Sequence, residues 1–399
     1  MEYFWLIIGA VITVFTMVDT FFTVLNYNER GLLVNRFIRW EWRAVRTLIS
    51  ALPIHKRRWF LRQVTGLVLV SAISLWLSGL ILGFALMFYG AAGLGALTHT
   101  GGRIGFWESV YLSLGQFSTV GADQFTPMKT WVAILTVCET LLSIVFLSMV
   151  ITFLFNIYSC IQALRTLCAS FPSRHTNVTS PLDELSPYFP HRGSNSLELH
   201  LVELRCNLNG YFDSLAQDHP GFFFQSGADR FAMPFAVFMT AGTIEGLRYG
   251  IPQSHPAAQE PELPRLCDSF EGSLSQIVDR YNWEIPQPSN ALSLEQFSDE
   301  YQRSYGSGSD VDQYVARFRR LVSSMSAMDT APEDCEASTS DLYSRYCHWL
   351  AFITRVDAFV AKASRELLYA PTYIPGAHQP QPPVTLFGWQ IKQSDPIRQ

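Results

Sequence analysis

Three long apolar stretches, about Tyr3 to Leu25, Val64 to Ala91 and Trp131 to Tyr158, constrain this chain more than any other feature. A helix needs roughly 20 apolar residues to cross the hydrocarbon core of a bilayer. In lipid only helices or closed barrels satisfy their own backbone groups. Charged residues make up only 16% of the 399, well below the roughly one quarter of a typical soluble domain. Trp5, Trp59 and Trp131 stand near the borders of the stretches, where aromatic belts form. The expected class is an α-helical membrane protein.

Charge asymmetry orients the spans. The segment between the first two holds Arg30, Arg36, Arg39, Arg43, Arg46, Lys56, Arg57, Arg58 and Arg62 against Glu29 and Glu41. Such a loop is cytoplasmic by the positive-inside rule. The N-terminus is then outside, residues 92–130 are outside, and everything after Tyr158 is inside. The expected location is the plasma (inner) membrane, crossed several times, with lipid as a partner. Leu33, Phe37, Trp40, Val45 and Leu48 recur at helical spacing, so part of the basic loop reads as an amphipathic helix lying on the membrane.

The outer segment is not an ordinary loop. Phe106 to Phe117 is an apolar run with helical character, about half the length needed to span. Ser118-Thr119-Val120-Gly121-Ala122-Asp123 follows, then Pro127 and the third span. Irregular backbone at membrane depth must be shielded by protein or line a water-filled path. An ion leaving water needs replacement oxygens, and a ring of backbone carbonyls supplies them. Glycine permits the backbone angles that aim successive carbonyls one way. The expected site is therefore Thr119, Val120, Gly121, Ala122 and Asp123.

The stretch from Phe106 to Pro127 resembles the pore loop of potassium channels, where a short helix leads into Thr-Val-Gly-Tyr-Gly-Asp, two variable residues and Pro. Thr119 to Pro127 keeps that spacing without a gap. Val137-Cys138-Glu139-Thr140-Leu141-Leu142-Ser143 is similar to the Glu-Ala-Leu-x-Gly stretch of bacterial inner pore helices. Asp19-Thr20-Phe21-Phe22-Thr23-Val24-Leu25, with the basic loop after it, resembles bacterial potassium-channel-like proteins that carry an extra leading helix. The resemblance covers roughly residues 10 to 158. It implies a tetrameric pore-loop cation channel, a homotetramer in which each chain supplies one quarter of a TVGAD filter for permeant K⁺ or Na⁺.

The motif departs from the family where selectivity is set. Ala122 stands for Tyr, Asp123 for the second Gly and Gln124 for Asp. The resemblance then implies a wider outer site ringed by four Asp123 carboxylates, with potassium selectivity or a non-selective K⁺/Na⁺ pore as the two outcomes. Glu139 either lines the cavity or hydrogen-bonds behind the filter, and the family favours the second. Ser143 stands at the family's hinge glycine. Phe146, Met149, Ile151 and Phe153 are the gate candidates. Asp19 pairs with an arginine or caps its helix end. No span carries arginine at every third position, so no voltage sensor is expected.

The expected organisation is an N-terminal transmembrane helix (1–26), a basic linker with an interfacial helix (27–63), and a pore module (64–158) with pore helix 106–118, filter 119–123 and inner helix 131–158. An all-α cytosolic domain (159–369) and a disordered Pro-rich tail (370–399) follow. Helical patterns lie near 195–217, 222–248, 263–283, 293–305, 310–328 and 339–369. Phe231 to Thr243 is too short to span and reads as a soluble core helix. Gly306-Ser307-Gly308 lacks a third glycine and reads as a turn. His348 and Trp349 read as packing residues. The seven cysteines show no CxxC pair and no metal-like spacing with histidine, and the net charge is −5. No enzyme, cofactor, metal site or nucleic-acid partner is expected. The cytosolic domain has room for an unknown ligand or protein. A second reading is a membrane-tethered sensor or effector whose pore-like fold is only a scaffold.

Overall fold

The computed structural model describes residues 1–25, 33–50, 54–171, 181–189, 195–217, 219–223, 231–285, 291–303, 312–328 and 339–367. The turn at Gly306-Ser307-Gly308, Cys335 and the tail from 370 lie outside them. The chain is mostly helical and divides into two units. One is Met1–Ile161 with Ser214–Gln225; the other is Gln162–Asp213 with Ser226–Gln399.

The first unit holds α1 (Glu2–Leu25), α2 (Val34–Ser50), α3 (Ile54–Gly93), α4 (Phe106–Phe117) and most of α5 (Thr130–Ala169). Glu2–Leu25, Gly66–Gly93 and Thr130–Ala169 are long and apolar enough to cross a membrane. The basic residues from Lys56 to Arg62 belong to α3 and not to a separate linker. Lys and Arg are good helix formers, and no proline interrupts Ile54–Gly93. The boundary expected at 158/159 likewise falls inside α5, which has neither proline nor glycine along its length.

Small residues join α1 to α3. A Cβ on Gly9 would collide with the Gly83 carbonyl oxygen, and one on Gly83 with Thr13 Oγ1. At Gly79 it would come within 2.6 Å of Thr16 Oγ1. Lipid offers no hydrophobic drive for helix pairing, so close backbone approach through such residues supplies the contact. Thr13 and Thr16 donate to Gly9 O (3.0 Å) and Ile12 O (2.8 Å), which leaves no hydroxyl proton idle.

Asp19 corrects one expectation. Only 1% exposed, it pairs with no arginine among the described residues and does not cap its own helix. Its carboxylate accepts from the Leu33 N–H (2.7 Å), the Val34 N–H (3.3 Å) and Trp76 Nε1–H (3.0 Å). An acid of α1 thus caps the start of α2 and ties both to α3. Helix α2 buries Ile38, Trp42 and Ile49 while Leu33, Trp40 and Leu48 stay exposed. It is apolar on two faces, one packed and one uncovered.

Within the expected 159–369 domain, Ser214–Gln225 groups with the first unit. His219–Phe223 forms a short 3-10 turn within the first unit, where the Phe223 and Trp42 rings lie 5.1 Å apart. A buried aromatic pair outweighs sequence order in deciding where this segment packs.

The second unit is helical: α6 (Ser196–Gln217, whose last turn joins the first unit), α7 (Met233–Ile244), α8 (Glu262–Tyr281), α9 (Leu294–Arg303), α10 (Gln313–Met328) and α11 (Thr339–Glu366). Helix α7 is buried along nearly all its length and is the core element. It begins later than the expected 222 because Pro234 fits only a first turn. It runs into a π-helix, Glu245–Gly250. Trp349 is fully buried and its indole N–H donates to Glu245 Oε1 at 2.8 Å. Arg317 lies 2.8 Å from Asp357 Oδ2 and 3.8 Å from Glu245 Oε2. His348, expected to pack, is exposed.

Glu184 ends the Pro181–Glu184 turn that packs on α7. It is 5% exposed and its Oε2 has no hydrogen-bond partner among the described residues. Burial, helped by the Asp183 charge, pushes its pKa up to about 7. The unfolded value is about 4.3. The folded state therefore holds the extra proton between these values, and stability present below about pH 4 is lost as pH rises to 7. Glu184→Gln should remove that slope, about 4 kcal/mol at most. Melting temperatures of the two proteins from pH 4.5 to 7.5 check it: the variant's advantage should grow with pH, and parallel curves would refute it.

Candidate functional site

Helix α4 starts where Gly105 takes extended backbone and the Glu108 carboxylate accepts the Gly105 N–H at 3.0 Å. An acid in the first turn also suits the helix dipole. Its 12 residues reach about 18 Å, short of a bilayer core. Ser109, Leu112 and Ser113 form its buried face.

The chain then turns sharply. Ser118 N–H donates to Leu114 O (2.9 Å), Thr119 N–H to Gln116 O (3.1 Å) and Gly121 N–H to Gly115 O (3.0 Å). Thr119 has φ +60° and Gly121 φ +80°. Positive φ is open to glycine but costs a β-branched residue of order 1–3 kcal/mol. Such strain persists only where the surroundings impose it. Here the imposing contact is at Gly115: a Cβ there would lie 2.9 Å from Gly121 O and 3.2 Å from Ala122 Cβ. The loop is pressed onto α4 at a position that admits no side chain.

The five expected site residues lie together in this loop and point differently. Val120 is 83% exposed and Ala122 only 8%. Ala122 packs among Phe84, Phe88, Leu112 and Phe125. Asp123 is exposed, and its carboxylate has no hydrogen-bond or ion-pair partner among the described residues. Beyond it, β1 (Leu97–His99) and β2 (Phe125–Pro127) pair antiparallel, with His99 opposite Phe125. The His99 ring holds this end. Nδ1 accepts the Gly101 N–H (3.0 Å), so the proton sits on Nε2, which donates to Gln124 Oε1 (3.3 Å).

Glu139 and Ser143 lie on α5, away from the loop's exposed face. Glu139 is fully buried and its Oε1 is 2.5 Å from Ser113 Oγ. Ser113 Oγ also reaches the Ile81 carbonyl at 3.1 Å. A hydroxyl has one proton and a carbonyl only accepts, so both contacts are made together when the carboxyl brings the second proton. Glu139 therefore ties α5 to α4 and α3. Ser143 is buried, donates to Thr140 O of its own helix (2.7 Å), and α5 runs unbroken through it. Of the residues named around the expected gate, Phe146 packs on Phe117 (5.8 Å) and Phe153 on Trp76 (5.3 Å), both within the chain. Ile151 alone of the four is exposed, and Met149 is half-buried.

Sequence reasoning missed Gly115 and Ser113. A lone glycine inside an apolar helical run was the available signal for the first. No sequence signal marks Ser113. Among the described residues, no group of His, Cys, Asp and Glu is arranged to hold a metal ion. Comparison with family models, curated proteins and solved structures gives no match.

Proposed function

We propose that the chain is one quarter of a tetrameric cation channel whose ion path is lined by Thr119 to Asp123. The observation that carries this reading is the strained, exposed loop itself. A threonine held at φ +60° beside a glycine at +80° closes a half-length helix set between two membrane-length helices. Strain of this kind is kept where it serves function. Four such loops around an axis replace an ion's hydration shell with oxygens, and four Asp123 carboxylates at the mouth attract cations.

Helix α5 fits the part of an inner helix. Its most apolar window is 17% buried, against 33% for the other two, which leaves surface for further copies as well as lipid. Val137, Leu141 and Ile144 are among the uncovered residues. The pore passes monovalent cations, K⁺ alone or K⁺ with Na⁺, because Ala122 fills its pocket without the reach of a tyrosine. The basic loop keeps α2 and the second unit in the cytoplasm.

The test is flux in reconstituted vesicles, with the assembly mass measured on the same preparation. A tetramer with cation current is expected. Asp123→Asn should keep current while divalent block weakens roughly tenfold. A monomer or dimer without current would sink the proposal and favour the tethered sensor.

A further inference from the structure

A cavity of about 450 Å³ opens in the second unit among the π-helix, α8 and α11. That is the size of a small-molecule site. Its floor is aromatic: Tyr249, Phe270 and Phe352 are buried, with Phe352 ring centroids 5.6 Å from Tyr249 and 6.0 Å from Phe270. Its rim is polar and carries Arg248, Arg355, His348 and Glu271.

The rim favours an anion. Arg355 meets Glu271 at 3.5 Å, but the two are 55% and 44% exposed, so the pair is weak and a ligand can compete for the guanidinium. Arg248 lies 5.7 Å from the Tyr249 ring centre, beside the floor. His348 Nδ1–H donates to the Ser344 carbonyl at 2.8 Å, so Nε2 of the neutral ring is an acceptor and an anionic group is left to the two arginines. The π-helix that presents Arg248 and Tyr249 is itself pinned, since the buried Arg345 donates to Tyr249 O at 3.2 Å. π-Turns recur at functional sites.

We propose that this cavity binds an aromatic organic anion, a flat ring bearing one phosphate or carboxylate. The ring lies on Tyr249 and Phe352, and the anionic group is met by Arg248 and Arg355.

The probe is 1-naphthyl phosphate, added to the full chain in lipid nanodiscs, with binding read by equilibrium dialysis against empty nanodiscs. Saturable binding is expected, and inorganic phosphate should not match it. Arg248→Ala and Arg355→Ala should each weaken it about tenfold, and Arg355→Lys less. Ala351→Trp fills the cavity from its lining without touching charge and should abolish binding. Circular dichroism identifies any variant that fails to fold, and the remaining ones then decide. No saturable binding, equal binding of inorganic phosphate, or binding unchanged in every folded variant would overturn the proposal.

Discussion

In the channel proposed above, Gly115→Val is expected to abolish cation flux while leaving the apolar helices assembled. The valine Cβ would start 2.9 Å from the Gly121 carbonyl oxygen and 3.2 Å from Ala122 Cβ, and its methyls need more room still. Helix α4 cannot retreat, because Ser109 and Ser113 are buried and Ser113 Oγ is held between Glu139 and the Ile81 carbonyl. The loop must move instead. It then loses the Gly121 N–H to Gly115 O bond and the restraint that holds Thr119 at positive φ. Carbonyls aimed by that backbone would scatter, and an ion would meet no ordered ring. Flux in vesicles should fall to background, a loss of roughly two orders of magnitude or more, since small misplacements in a preorganised site are costly. Gly66→Val is the matched control, because a Cβ there meets nothing within 4 Å. Wild-type flux in Gly115→Val would refute the loop's role.

This prediction could not have been drawn from the sequence. Local pattern exposed the helices: the apolar runs lie within α1, α3 and α5, and the run from Phe106 to Phe117 is a helix with those bounds. Residue direction was hidden wherever a helix is apolar all round, because periodicity then marks no face. Along α5 the sequence pattern does not separate Phe146 and Phe153, both buried, from the exposed Ile151. The two-faced α2 shows the same limit. The stripe of Leu33, Trp40 and Leu48 was legible, while the stripe of Ile38, Trp42 and Ile49 is buried by the fold, Trp42 against Phe223. Glu139 shows the opposite case. A carboxylate within a span needs a partner, but only the fold names Ser113. Charge pattern pointed to a cytoplasmic loop without revealing that four of its nine basic residues belong to α3, since helix propensity and membrane topology are separate constraints.

Asp19→Ala should be the most destabilising single change in the first unit. It removes the acceptor of three donors at once: the Leu33 N–H, the Val34 N–H and the Trp76 indole N–H. Asp19 is 1% exposed and Trp76 also 1%, so water cannot replace the carboxylate. An unsatisfied buried donor costs about 1–3 kcal/mol, and the three together give on the order of 3–5 kcal/mol once the structure relaxes. Asp19→Asn should recover only part of this, because an amide nitrogen cannot accept where Oδ2 did or Oδ1 did. Trp76→Phe removes one donor and packs nearly as well, so the double variant should be less damaged than the sum of its parts, by about 1 kcal/mol. Unfolding in mixed micelles, followed by Trp fluorescence and by protease cleavage within α2, measures each term. Helix α2 should become cleavable in Asp19→Ala before α3 unfolds. If cleavage and global unfolding stayed coincident and unshifted, the carboxylate would be a bystander and not the pin that holds the basic helix to the membrane helices.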